Sequence, residues 1–168
     1  MNTYREILPD IWACTLFDNF RNKNGVVYGV GFLKKQKDYA EIWIGDEEKI
    51  PGRSNIRLRS KNECVYCKIL ITAQNGVGDH TVSEFERKNV LWTVPCCKSC
   101  NSSKNNKDLI EWWCGFKKRN IVNLGRDVMS IFVRAKYRLL KKENKLDDIV
   151  PEIYLIALEQ IKKHWSEK

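Results

Sequence analysis

Two cysteine pairs, Cys64-Val-Tyr-Cys67 and Cys97-Lys-Ser-Cys100, stand 29 residues apart, and Asp79-His80 lies between them. Four thiolates at that spacing suit a tetrahedral structural zinc. Cys96 adjoins Cys97, so either thiol could serve, and the two-residue spacing to Cys100 points to Cys97. The carboxylate of Asp79, the imidazole of His80 and the amide of Asn101, brought near that zinc, would make a second site of another kind. Oxygen ligands suit a hard divalent cation such as Mg2+ or Mn2+, and a neutral imidazole can take a proton from water. The chain has two histidines, and His164 lies among lysines near the C-terminus. That leaves His80 as the credible base.

Such residues work only if a fold holds them together, and 168 residues with six Trp, six Tyr and six Phe can build a core. The expectation is one domain with elaborations. No apolar run reaches the length of a membrane span, and the start lacks the layout of a signal peptide. Seven cysteines, four of them in CxxC pairs, favour metal ligation in a reducing compartment over a disulfide framework. A cytoplasmic protein follows as the expectation. The formal net charge is +9, with thirteen basic and seven acidic side chains in residues 116–168. Two-thirds of the excess therefore lies in the last third, which points to a polyanionic partner.

Residues 4–20 carry apolar side chains at spacings of three and four, which reads as a helix broken near Pro9. Two strands, 26–33 and 39–44, would form a hairpin around the polar turn 34–38. After the first knuckle the reading is a strand over 68–72, a Gly-rich turn over 75–78, and a strand carrying Asp79 and His80. Residues 90–94 are apolar and Pro95 stops them. Ser99 could cap a helix that runs toward Trp113, with Asn101 and Asn105 on one face. In the last third, Val128, Ile131, Phe132, Ala135 and Leu139 mark one helix, flanked by the basic residues Arg134, Arg138 and Lys141. Pro151 opens a last helix with Ile153, Ile156, Ala157 and Ile161 inward.

Together, CxxC, Asp-His, a loop asparagine and CxxC-Asn-x-x-Lys resemble the zinc-stapled HNH endonucleases. The likeness covers roughly residues 61–113. It implies an α+β fold in which a ββα-metal core (61–115) sits between an N-terminal helix and hairpin (1–60) and a basic helical region (116–168). It also implies that His80 activates water against the scissile phosphate and that Asp79 and Asn101 hold the catalytic Mg2+ or Mn2+. Asn89 would brace the loop and keep His80 oriented. Lys104 matches the lysine after the Cys-Asn pair, with phosphate contact or local support as its role. Arg53, Arg57, Arg59, Lys117, Lys118, Arg119, Arg134 and Arg138 are further candidates for nucleic-acid contact. The function so implied is metal-dependent cleavage of DNA, as in restriction, phage or defence nucleases. RNA as substrate, or a non-catalytic zinc module that binds nucleic acid, are the alternatives. A homodimer would present two sites for a double-strand cut.

Overall fold

The computed structural model describes residues 2–15, 19–21, 27–29, 63–82 and 93–165. The hairpin expected over 26–44, the loop at 50–53, and Arg53, Arg57, Arg59 and Asn89 lie wholly or mainly outside them. The described chain is a mostly helical α+β structure.

Helix α1 (Tyr4–Thr15) runs through Pro9 without a break, contrary to expectation. Pro9 removes one backbone hydrogen bond, a loss of about 3 kcal/mol in a helix interior. Burial of Ile7, Leu8, Ile11 and Trp12 offsets it, at about 1.5–3 kcal/mol per large apolar side chain. The helix also stops earlier than its pattern suggests: Asn19–Arg21 is strand β1, antiparallel to β2 (Val27–Gly29).

Strands β3 (Gly76–His80) and β4 (Thr93–Cys97) form the second antiparallel pair, with Asp79 opposite Val94 and Val77 opposite Cys96. Two expectations fail here. Residues 68–72 form no strand, only a bridge from Leu70 to Glu63, and Ile69 and Leu70 are exposed. The turn lies earlier, at Thr72–Asn75, where the Asn75 carboxamide accepts from Thr72 N at 2.6 Å. The glycines instead open the strand: a Cβ on Gly76 would stand 2.2 Å from Ile71 Cγ2, so only glycine fits under that turn.

Pro95 sits inside β4 rather than ending it. Its carbonyl accepts from Val65 N at 3.1 Å, so its nitrogen faces the same way, outward from β3, and no ladder bond is lost.

Helix α2 (Lys98–Lys104) packs on both strands. Its cap is Cys97, whose sulfur accepts from Cys100 N at 3.4 Å, and not Ser99. The helix closes at Asn105, whose positive φ of 48° ends it far short of Trp113. The chain restarts at Asp108, which accepts from the N–H groups of Ile110 and Glu111, and continues as a π-helical segment, Glu111–Phe116. A 3-10 turn (Ile121–Leu124) leads to α3 (Arg126–Lys142) and then α4 (Glu152–Trp165).

All five apolar residues expected to face inward on α3 are buried. On α4, Ala157 and Ile161 are buried as expected. Ile156 is instead 43% exposed, and Tyr154 and Leu158 take the inward positions. α1 packs on both C-terminal helices, and Thr3 pairs with Ile149.

Candidate functional site

The sulfurs of Cys64, Cys67, Cys97 and Cys100 all lie within 4.8 Å of one another. A zinc with bonds of about 2.3 Å to four sulfurs needs them roughly 3.8 Å apart. Cys67 and Cys97 are 3.7 Å apart, far outside disulfide range, so the cluster fits a structural zinc. Alternation along β4 settles the choice left open by the sequence: Cys97 joins the cluster and Cys96 does not. Cys96 is buried on the other side, where burial and then the Asp79 charge push its thiol up to about 12.

The first knuckle is also the hinge pin of the core. Cys64 N donates to the Ile69 carbonyl and Lys68 N to the Cys64 carbonyl, a tight turn that puts Lys68 at φ 67°. Burial pushes the Cys64 thiol up, but backbone N–H groups of Cys67, Cys97 and Tyr66 outweigh it and bring it down to about 7. Within the knuckle, Val65 and Tyr66 are buried. The Tyr66 ring meets Trp112 edge-on at 5.1 Å and lies 6.2 Å from Trp113. Tyr66 thus joins the four-cysteine cluster to the π-helical segment.

Tyr66 is the residue that sequence reading missed. Its signal was an aromatic ring with a hydroxyl inside a CxxC unit, since a buried phenol must find a partner. That partner is Asp79: the hydroxyl donates to Oδ2 at 2.5 Å. Burial, then the Asp79 charge, holds the Tyr66 phenol well above the usual tyrosine range.

Asp79 faces α2, where Lys104 meets it. The two are paired at 3.3 Å, and Lys104 also donates to the His80 carbonyl at 3.0 Å. Asp79 is 4% exposed and Lys104 fully buried. Of the two roles open to Lys104, the structure supports the local one: its ammonium is taken up by Asp79 and the His80 carbonyl. Arg134 is corrected in the same way. It was expected on a basic flank, but it is 3% exposed, inside α3. Arg138 is half-buried, and Lys117, Lys118 and Arg119 are exposed, as phosphate contacts must be.

His80 ends β3, and its Nε2 is buried with no hydrogen-bond partner among the described residues. An orphaned ring nitrogen in a native fold calls for a ligand, a water or an ion. Thr81 and Val82, the next two residues, line a cavity of about 130 Å³ with Asn106, Lys107, Asp108, Phe132 and Lys136. Asp108 and Lys136 pair there at 3.3 Å, and the Tyr154 hydroxyl donates to Asp108 at 2.5 Å. This second, half-buried network docks the segment after α2 onto α3 and α4.

The four-cysteine cluster and the hairpin followed by a helix are thus present, with Asp79, His80 and Asn101 on one small unit. Among the described residues no other group of three or more His, Cys, Asp or Glu is arranged to hold a metal. No family model matches the chain, and no curated protein or solved structure matches it. No helix among the described residues is long and apolar enough to cross a membrane.

Proposed function

We propose that this chain is an HNH-type nuclease that hydrolyses phosphodiester bonds in DNA. The observation that carries the proposal is the orphaned Nε2 of His80, at the end of a hairpin stapled by four cysteines to the helix bearing Asn101. A neutral imidazole there accepts the proton of an attacking water. The contact from Lys104 Nζ to the His80 carbonyl fixes the backbone that carries the ring, so Lys104 and Tyr66 act as positioning residues.

The donor set of Asp79 and Asn101 is all oxygen and fits a hard cation in kind. Oδ2 of Asp79 is committed to Tyr66 and Lys104, while Oδ1 has one long contact, 3.4 Å to Lys104, and is the oxygen left for a metal. Mg2+ or Mn2+ held there would neutralise charge on the phosphate and assist the leaving oxygen. Lys107, on the cavity beside Thr81, adds positive charge where a phosphate would approach, while Lys136 there is paired with Asp108.

One observation favours a second reading. The closed Asp79–Lys104–Tyr66 group also suits a scaffold that binds nucleic acid without cutting it. Supercoiled plasmid with Mg2+ or Mn2+ separates the two: the wild type nicks or linearises it and His80→Ala does not, at equal zinc content. Wild-type protein that is folded, zinc-loaded and inert on plasmid, single-stranded DNA and RNA would sink the nuclease. Cleavage of RNA alone would move the substrate and keep the chemistry.

A further inference from the structure

We infer that the end of the π-helical segment, with Phe116 at its centre, is a stacking platform for an unpaired base of the bound strand. The inference rests on the nucleic-acid reading above and adds to it the form of the substrate: a strand with a splayed or single-stranded nucleotide. Phe116 is 65% exposed and is the only aromatic among the large apolar side chains that stand out to solvent in the described residues. Its own segment buries both other aromatics, Trp112 and Trp113. The backbone explains the difference. Lys117 N bonds to the Trp112 carbonyl five residues back, and this wider register turns the last residue away from the face that the tryptophans bury.

One cation stands over the exposed ring, and more follow it in the chain. Lys107 Nζ lies 5.5 Å from its centroid, anchored by a bond to the Ser103 carbonyl. Lys117 stands over Trp112 at 5.8 Å and Arg119 over Trp113 at 5.2 Å, so both charges are held at the protein surface. Lys118 lies between them, exposed. The acid of the same segment, Glu111, acts elsewhere: its charge acts on Tyr4 and Tyr154, and its carboxyl feels Asp108 and Lys136.

An exposed aromatic ring with a cation over one face, followed in the chain by three exposed cations, is the kind of surface that tracks a nucleic-acid backbone and receives a base. The platform also connects to the candidate catalytic residue. Lys107 lines both the ring and the cavity that begins at Thr81, the residue after His80. Lys107 therefore links that cavity to the stacking face. A paired base inside a duplex presents no free π-face, so the platform favours unpaired nucleotides.

The test uses the full chain, zinc-loaded and without added Mg2+ or Mn2+, so that binding is read without cleavage. The probes are fluorescent oligothymidine and a duplex of equal length, followed by anisotropy. Phe116→Ala should weaken single-strand binding roughly 5- to 150-fold, the range of one lost base stack, and leave the duplex little changed. Phe116→Leu should fail like alanine, and Phe116→Tyr should bind like the wild type. The inference is overturned if leucine restores binding, if both probes respond alike, or if neither responds. It is overturned equally if the wild type ignores oligothymidine and binds anionic vesicles. Plasmid cleavage by a protein whose Phe116 variants bind normally removes the platform and keeps the nuclease. Loss of binding on Phe116→Ala in a protein that never cleaves keeps the platform and removes the nuclease.

Discussion

Replacing Lys104 by methionine tests the centre of the candidate site. The substitution keeps most of the buried stem, so its effect is electrostatic and not a cavity. It removes the partner of Asp79 at 3.3 Å and the donor to the His80 carbonyl at 3.0 Å, both inside the protein. Breaking a buried pair by deleting one partner costs about 3–5 kcal/mol. We therefore expect Lys104→Met to lose about 3–4 kcal/mol in urea unfolding at saturating zinc, with Tm falling by roughly 6–16 °C. Asp79→Asn alone should also destabilise, because it leaves the ammonium buried without its counter-charge. The double variant should be better than the sum of the two by about 2 kcal/mol or more. A loss under about 1 kcal/mol with additive singles would refute the reasoning. Lys104 would then reach solvent, as the sequence pattern also allowed.

Four further outcomes can be checked without any activity assay. Zinc affinity should fall roughly tenfold or more for each pH unit below 7, measured against a chromophoric chelator, because each thiol must shed its proton to bind. Cys64, drawn down to about 7, should bind as a thiolate first, while burial raises Cys67 and Cys100. In the knuckle, Lys68→Gly should stabilise the zinc-loaded protein by about 0.5–1 kcal/mol by relieving φ 67°. Gly76→Ala should destabilise it by about 1–3 kcal/mol, since the new Cβ meets Ile71 Cγ2 and the Thr72 carbonyl. Finally, burial holds Tyr66 and Tyr154 above the ordinary value of 10 and pushes Tyr4 up to about 12. Folded values above unfolded ones give stability that is complete below pH 10 and lost as pH climbs past it. Ultraviolet titration should show these phenols ionising together with unfolding.

What could be read from the sequence followed the strength of each local signal. The cysteine cluster was legible because ligand spacing is set by the metal and needs no tertiary knowledge. The α3 stripe was legible because five apolar residues at helical period leave one way to bury them. Strand placement around the knuckle was not. Lys68–Thr72 has strand composition, but the knuckle closes in a turn with positive φ at Lys68 and leaves Ile69 and Leu70 outside. The glycines at 76 and 78 look like a turn until the close approach of Ile71 explains the first. Pro95 looked like a stop because the sequence does not say that β4 has a single strand neighbour among the described residues, or which side the proline nitrogen faces. Depth was the hardest to read. Lys104 and Arg134 look like surface cations, and only the packing of α2 on β3, and of α3 into the core, puts them inside.

The burial of Lys104 bears on how stability and function are coupled in this chain. A lysine inside a small hairpin-and-helix unit is retained at a desolvation penalty that a leucine would avoid. Its three donors reach Asp79 and the His80 carbonyl, so the same contact neutralises the carboxylate and anchors the backbone of the imidazole. Tyr66 adds the zinc knuckle to that contact through its hydroxyl. The result is a continuous chain from the cysteine cluster, through Tyr66 and Asp79, to Lys104 and His80. In a passive scaffold every link after the cysteines could be exchanged for apolar side chains with no loss of binding. If the link serves catalysis, a variant that restores stability while removing it, such as Asp79→Leu with Lys104→Leu, should fold, hold zinc and bind nucleic acid, yet no longer cut. Equal cleavage by that variant would show that the buried pair only supports the fold.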